Sequence, residues 1–184
     1  ACFTYNNGVT ADASTVGALM GTKIVLNEMV AYVQLSQIAT TIDPKSFMIA
    51  KIVTGASFGG CTAYAYGKDQ AEVISHDGII PDDPKIATKC FEIQSQLNPR
   101  VSKPVGHIAI SFKPEDKPRL TNEFMVQIAK EYMEKMGIKD TQYVIVRHHN
   151  TPNPHCHLIF NRVDNNGKRM SDSNWLKRNV RVCK

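Results

Sequence analysis

From residue 48 onward, the apolar positions recur with a period of two in some segments and near 3.6 in others. The alternating run 105–112 predicts a strand, and further strands are predicted over residues 48–54, 142–148 (from its β-branched centre) and 155–163. The sequence Asn165-Asn166-Gly167 is a strong hairpin signal, so residues 168–171 are predicted to pair back as a further strand. Because short turns join these strands, we expect an α+β fold. It would be a two-layer α/β sandwich with a mainly antiparallel sheet of about five strands and helices packed on one face.

The helices between these strands are predicted from their end signals. A short helix is expected from Cys61 to about Gln70. A second helix runs to about Leu97, with Asp83 as a plausible N-cap and Pro84 as its first residue.

The longest helix is predicted to begin at Thr121 or Asn122 and to run to Met136. Its apolar positions recur at helical spacing, and Gly137 is the expected stop signal. A last, incomplete helix is predicted from Trp175 onward.

The first 47 residues differ from the rest of the chain in composition and charge. They are rich in small and apolar residues, and residues 17–38 could be helical. They contain two lysines against three acidic residues, a net charge of −1, while residues 48–184 contain twenty basic against fourteen acidic residues, or +6. Such different net charges in the two segments indicate two origins or two roles.

Composition also excludes several classes of protein. No apolar run approaches the ~18–20 residues needed to span a bilayer, so no membrane insertion is expected. The five cysteines are scattered and form no C-x-x-C pair. A disulfide framework and a cysteine-rich zinc site are therefore disfavoured, and a cytoplasmic location is expected.

Histidines are concentrated in one short stretch, residues 148–157, which contains four of the six in the chain. On a strand, His155 and His157 share one face and Cys156 faces the other way. The intervening turn brings His148 near them, whereas His149 faces away, toward solvent or DNA. Three converging imidazoles predict a divalent-cation site with positions open for a substrate oxygen. The alternative is a polar sheet face without metal.

Tyr64 and Tyr66 are the candidate nucleophiles. A tyrosine hydroxyl can attack phosphorus and form a covalent phosphodiester. It needs help from a metal or a base, because an ordinary tyrosine ionises only near pH ~10. Most tyrosines are packing residues, so Tyr64 gains weight only together with the histidines.

Basic residues are the third feature. Lysines and arginines supply the sequence-independent phosphate contacts of nucleic-acid binding. The chain has a set near the histidine-rich strand: Arg147, Arg162, Lys168, Arg169, Lys177, Arg178 and Arg181. The alternative is a solvated basic face without a partner.

Four stretches together resemble the catalytic domain of plasmid mobilisation relaxases, especially those of Bacteroides-type mobilisable elements. They are, in order, residues 48–60 (MIAKIVTGASFGG), 64–68 (YAYGK), 96–108 (QLNPRVSKPVGHI) and 147–162 (RHHNTPNPHCHLIFNR). A histidine-hydrophobic-histidine signature preceded by a tyrosine is more specific than either feature alone.

The resemblance implies a site- and strand-specific DNA nicking and rejoining reaction. Tyr64 would be the nucleophile, with Tyr66 as the alternative, and would form a 5′-phosphotyrosine intermediate. Ligands to a divalent metal, Mg or Mn, would be His148, His155 and His157. Contacts to single-stranded DNA at a transfer origin would come from Arg147, Asn161, Arg162, Lys168 and Arg169.

Further partners implied by the resemblance are accessory mobilisation proteins and a type IV secretion coupling protein. One departure is that many relatives carry an acidic residue where this chain has Asn150, which predicts weaker metal binding. His107 lies on a strand whose residue types are similar in the family, and support of the sheet is the favoured role.

A second resemblance covers the other part of the chain. The run from Gly21 to Tyr32 (GTKIVLNEMVAY) is similar to a segment of concentrative nucleoside transporters. We therefore expect residues 1–47 to be a foreign or chimeric leader with no assigned function. Residues 48–184 are expected to be the relaxase catalytic domain, truncated at its C-terminus.

Two other functions compete with the relaxase hypothesis. A histidine-triad-like nucleotide hydrolase is disfavoured, because Ile159 stands where that class has its third histidine. A non-catalytic fragment that binds single-stranded DNA would need only the basic surface.

Overall fold

The computed structural model describes residues 2–4, 10–12 and 48–183. The chain divides into two units, Ala1–Pro44 and Lys45–Lys184. In the first unit, strands β1 (Cys2–Thr4) and β2 (Thr10–Asp12) pair antiparallel. The helix predicted over residues 17–38 lies outside the described residues.

The second unit is built on a five-stranded sheet in the order β3-β5-β7-β6-β4, and every neighbouring pair is antiparallel. Its elements are β3 (Ile49–Gly55), α1 (Phe58–Tyr66), β4 (Ala71–Asp77), α2 (Pro84–Ser95), β5 (Val105–Ser111), a 3₁₀ helix (Pro114–Arg119), α3 (Asn122–Met136), β6 (Tyr143–His148), β7 (His155–Asn161) and α4 (Trp175–Val182). The α+β class and the antiparallel five-stranded sheet are confirmed.

The identity of one strand differs from the prediction. The fifth strand is β4, at the edge of the sheet beside β6, and not residues 168–171. Its register shifts between Val73 and Ser75, and this bulge breaks the period-two pattern that would have marked it. The chain does reverse at Gly167, but the returning segment forms only the bridge Val163↔Arg169.

Helices cover both faces of the sheet, so the expectation of helices on one face is wrong. Val146 of β6 packs in one cluster with Phe58 of α1 and Phe91 of α2. The next residue, Arg147, points to the other face and donates a 2.8 Å hydrogen bond from Nη1 to Oδ1 of Asn122, the first residue of α3. The unit therefore has three layers, with α1 and α2 on one face and α3 on the other.

The second helical layer also includes α4. Tyr132 of α3 donates a 2.6 Å hydrogen bond to Asn179 of α4, and the rings of Phe160 and Trp175 lie 5.9 Å apart. Because both faces are covered, strand β6 is apolar at consecutive positions, as in the buried run 144–146. Consecutive apolar residues in that run are the feature of the sequence that indicates helices on both faces of the sheet.

The end signals predicted at Asp83, Thr121 and Gly137 are confirmed. Asp83 accepts a 2.6 Å hydrogen bond from the Lys85 backbone N–H at the start of α2. Thr121 caps α3 by accepting from the Phe124 N–H at 3.2 Å, and Gly137 ends it at φ +75°. Both caps satisfy backbone groups that a helix end leaves free.

Candidate active site

Three histidines meet where β6 ends and β7 begins. His148 and His155 are direct cross-strand partners, and His157 lies on the same face as His155, while Cys156 is buried on the opposite face. One ring nitrogen of each of the three histidines lies within 4.8 Å of the others. The alternation of side chains along β7 therefore produces the convergence that the sequence predicts.

Hydrogen bonds fix which nitrogen of two rings remains available. Nε2 of His148 lies 2.7 Å from the carbonyl oxygen of Ala65, which can only accept, so Nε2 carries the proton. Nδ1 of His155 donates in the same way to the carbonyl of Asn153 at 3.0 Å. A neutral imidazole has one proton, and this leaves lone pairs on Nδ1 of His148 and Nε2 of His155.

The third ring, that of His157, is buried, as is that of His148. Its Nδ1 lies 2.9 Å from Nε2 of His107, and its own Nε2 is buried without a hydrogen-bond partner. Burial, reinforced by the neighbouring His148 and His107, lowers the pKa of His157 to about 3. The ring is therefore neutral at pH 7, as a metal ligand must be.

This cluster fits a divalent cation. Buried polar atoms without a partner are rare in folded proteins, and a cation at the cluster would satisfy Nε2 of His157. Three neutral nitrogen donors also leave coordination positions open for a substrate oxygen. Burial lowers the pKa of His148 as well, which keeps this second donor in its neutral form.

Tyr64 lies over the histidine cluster. Its ring centroid is 5.3 Å from that of His157, 6.1 Å from that of His107 and 6.3 Å from that of His148. The residue is 48% exposed, so a substrate can reach it. Tyr64 lies in the last turn of α1. This helix begins at Phe58, and not at Cys61 as predicted.

Tyr66 occupies a different environment, although it is only two residues away. Its hydroxyl is buried without a partner, and its ring packs against the core under α1. Burial raises the pKa of Tyr66 to about 12. Residues two apart on a helix face different directions, which explains why only Tyr64 lies at the cluster.

Two further residues lie at this site although the sequence did not predict them there, Lys68 and His107. Lys68 places its ammonium 5.2 Å from the centroid of the Tyr64 ring. His107 reaches the cluster from β5, the neighbour of β7 in the sheet. His107 reaches the site through a tertiary contact that no local spacing marks, whereas Lys68 lies four residues after Tyr64, just past the end of α1.

Asn161 and Arg162, two of the predicted DNA contacts, are buried. Asn161 is fully buried and donates a 2.9 Å hydrogen bond to the Phe91 carbonyl. Arg162 is 2% exposed and donates to Asp172 at 2.6 Å and to the Lys103 carbonyl at 2.8 Å. Both side chains are thus engaged inside the fold, and a direct contact of either with DNA stays a prediction.

The other predicted DNA contacts are not gathered around the histidines. Arg147 points to the opposite face of the sheet, toward α3. Lys168 and Arg169 are exposed, but they lie beyond the far end of β7, a strand about 20 Å long. His149 is exposed, as predicted, and is 3.0 Å from a carboxylate oxygen of Glu72.

Comparison with known families agrees with this arrangement. A family model described as relaxase, MobA/VirD2-like, nuclease domain matches residues 64–184, more than half of the chain. The chain therefore belongs to the MobA/VirD2-like relaxase family and carries its nuclease domain. The match begins at Tyr64 and includes all three clustered histidines. This is the enzyme class of DNA nicking in conjugative mobilisation.

Comparisons with solved structures and with curated proteins give no further assignment. A solved structure from work on the molecular basis of vancomycin resistance transfer in Staphylococcus aureus is 18% identical, with a TM-score of 0.42, and the match covers 74% of this chain and 89% of that one. None of the curated proteins matches. Within the described residues, no helix has the length and apolar character needed to cross a bilayer.

The first part of the chain matches a second family model. This model, described as the C-terminus of Na⁺ dependent nucleoside transporters, matches residues 1–65 and so overlaps the relaxase match at residues 64–65. The structural division falls between Pro44 and Lys45, close to the predicted boundary at residues 47–48. That boundary, and the foreign origin of residues 1–47, stay predictions.

Proposed function

We propose that this domain nicks and rejoins single-stranded DNA at the transfer origin of a plasmid or mobilisable element, with Tyr64 as the nucleophile. The observation that carries the proposal is the position of the half-exposed Tyr64 ring over three converging histidines. The family's nuclease domain supports the same reaction class.

In the proposed reaction, the hydroxyl oxygen of Tyr64 attacks the scissile phosphorus. The bond to the 3′ oxygen of the preceding nucleotide breaks, so the products are a 5′-phosphotyrosine and a free 3′-OH. One phosphodiester replaces another, and attack by a 3′-OH reverses the step and releases the tyrosine. The reaction therefore rejoins strands without an external energy source.

His148, His155 and His157 would hold the divalent cation through the ring nitrogens that their hydrogen bonds leave free. A cation bound there would polarise the scissile phosphate and stabilise the charge that develops on it. An all-imidazole donor set favours first-row transition ions such as Mn²⁺ over Mg²⁺, which prefers oxygen ligands.

Lys68 is placed to contribute positive charge beside the nucleophile, because its ammonium lies against the Tyr64 ring and the side chain is exposed. A phosphate brought to Tyr64 would meet this charge. In the cell, we propose a cytoplasmic location, with accessory mobilisation proteins and a type IV secretion coupling protein as further partners.

A randomised pool of single-stranded oligonucleotides, incubated with the protein and Mn²⁺, tests this proposal. One pool carries a label at the 3′ end and a second pool carries it at the 5′ end. We expect denaturing gels to show the 3′ label attached to the protein and the 5′ label released, because the phosphotyrosine forms on the 5′ phosphate.

Two matched variants then test the nucleophile. Tyr64→Phe removes only a hydroxyl and should abolish the adduct, whereas Tyr66→Phe removes a buried, unpartnered hydroxyl and should preserve it. An adduct that persists in Tyr64→Phe would overturn the assignment. Retarded migration without any adduct, in either pool, would favour a non-catalytic DNA-binding fragment.

A further inference from the structure

His107 lies on β5, and its ring contacts His157, a buried member of the histidine cluster. The ring centroids of His107 and His157 are 5.0 Å apart, and Nε2 of His107 lies 2.9 Å from Nδ1 of His157. The sequence alone left support of the sheet or a DNA contact open for this residue and favoured support, and the side-chain contact points to a more specific role.

The direction of this hydrogen bond follows from the other nitrogen of His157. If Nδ1 of His157 accepted, the proton of the neutral ring would sit on Nε2, which is buried and has no acceptor. Either tautomer leaves Nε2 without a protein partner, but only a lone pair on Nε2 can be satisfied by a cation bound at the cluster. If Nδ1 donates to His107, the lone pair of Nε2 is free for a cation.

We propose that His107 is a positioning residue, which accepts a hydrogen bond from Nδ1–H of His157 and thereby presents the Nε2 lone pair of His157 to the cation. This inference rests on the proposed function, since it takes His157 as a metal ligand. Metal-binding histidines usually donate their second N–H to a carboxylate, a backbone carbonyl or a water. In this chain a neutral imidazole fills that place.

The other two ligands show the same arrangement with different acceptors. His148 donates to the Ala65 carbonyl and His155 donates to the Asn153 carbonyl, so each ring is oriented by one fixed partner. His107 completes the set, because His157 is buried in the sheet, where no loop or helix-end carbonyl bonds to its ring. Each ligand thus has one acceptor that selects its tautomer.

Calorimetric titration of Mn²⁺ into the full chain tests this role. In His107→Leu, which removes the acceptor, we expect the affinity to fall by about tenfold or more, the usual effect of losing such a partner. His107→Gln keeps an acceptor and should recover most of that loss. His76→Leu removes an exposed histidine from β4 and should leave the affinity unchanged.

Equal affinity in His107→Leu and the wild type would overturn the inference, as would equal losses in the Leu and Gln variants. Thermal unfolding without metal checks that each variant is folded. The ligand assignment is tested separately by His155→Ala. If its Mn²⁺ affinity is unchanged, the proposed metal site itself fails, whereas a failure confined to His107→Leu removes only the positioning role.

A second measurement needs no variant, DNA or metal. Nitrogen-15 NMR of the histidine rings reports which nitrogen carries the proton. In the metal-free wild type we expect His157 to be protonated at Nδ1. Protonation at Nε2 would contradict the proposed direction of the hydrogen bond, whatever the protein does to DNA.

Discussion

The two ends of β7 both carry buried polar side chains, and the two ends differ in how those side chains are hydrogen-bonded. At the first end, Nε2 of His157 is buried without a hydrogen bond. At the other end, Asn161 donates to the Phe91 carbonyl and accepts from the Val163 N–H at 3.0 Å. The difference is between a buried ring nitrogen that a bound cation would satisfy and a buried amide that the fold itself satisfies.

Arg162 follows Asn161 at this second end, and most of its hydrogen bonds are made inside the fold, although its residue type suggests DNA binding. Its guanidinium bonds to Asp172 and to the Lys103 carbonyl, and its central carbon lies 5.2 Å from the Trp175 ring centroid. Only Nε lacks a partner. The residue connects the end of β7 to α4 and stabilises the fold.

The largest expected effect is at the histidine end. His157→Leu keeps a side chain of similar size and should lower Mn²⁺ affinity about a thousandfold, equivalent to about 4 kcal/mol. The affinity should fall further when a metal ligand is removed than when the hydrogen-bond partner of a ligand, such as His107, is removed. Calorimetry measures the affinity, and urea unfolding in chelator should show a change below about 1 kcal/mol. Unchanged Mn²⁺ affinity would remove His157 from the ligand set.

At the opposite end, Asn161→Leu should affect stability and leave metal binding intact. The Phe91 carbonyl and the Val163 N–H both lose their partner, at about 1–3 kcal/mol for each unsatisfied buried group. We expect the free energy of unfolding to fall by about 3 kcal/mol, measured with urea. A stable variant with weakened Mn²⁺ binding would show that the two ends are coupled.

Arg162→Met should cost about 2 kcal/mol of unfolding free energy, because two charge-assisted hydrogen bonds are lost. Asp172 is exposed enough to regain water, which limits the cost. Arg169→Met is the matched control, since Arg169 is paired with the same carboxylate on the surface and should cost less than about 1 kcal/mol. Equal costs for the two variants would contradict the structural role of Arg162.

The smallest expected effect is a difference in the rate of adduct formation between variants of two exposed lysines, one beside the nucleophile and one far from it. Lys68→Ala should slow adduct formation about threefold, because the ammonium lies beside Tyr64, and the loss should be greater at low salt. Lys168→Ala, beyond the far end of β7, should leave the rate unchanged. Equal slowing by both variants in a gel-based time course would indicate a general charge effect.

Much of the site could be predicted from the sequence because it depends on local periodicity. The shared face of His155 and His157 follows from alternation, and the nearness of His148 follows from the turn between the strands. The helix caps at Asp83 and Thr121 are equally local. These features need no knowledge of which strands are neighbours.

Features that depend on tertiary contacts could not be predicted. His107 reaches His157 only because β5 lies beside β7, a pairing across fifty residues of sequence. The burial of Asn161 and Arg162 was not predicted, because their residue types do not reveal it. Strand β4 was missed because an edge strand with a bulge has no clear alternation.

The most direct test of the central claim is to identify the residue that carries the DNA. The adduct formed with the 3′-labelled pool is digested with nuclease and trypsin, and the peptide spanning residues 52–68 is fragmented in a mass spectrometer, because it contains both Tyr64 and Tyr66. We predict a nucleotide remnant on Tyr64 that forms only when Mn²⁺ is present. A remnant on Tyr66, or on any residue outside this peptide, would contradict the account.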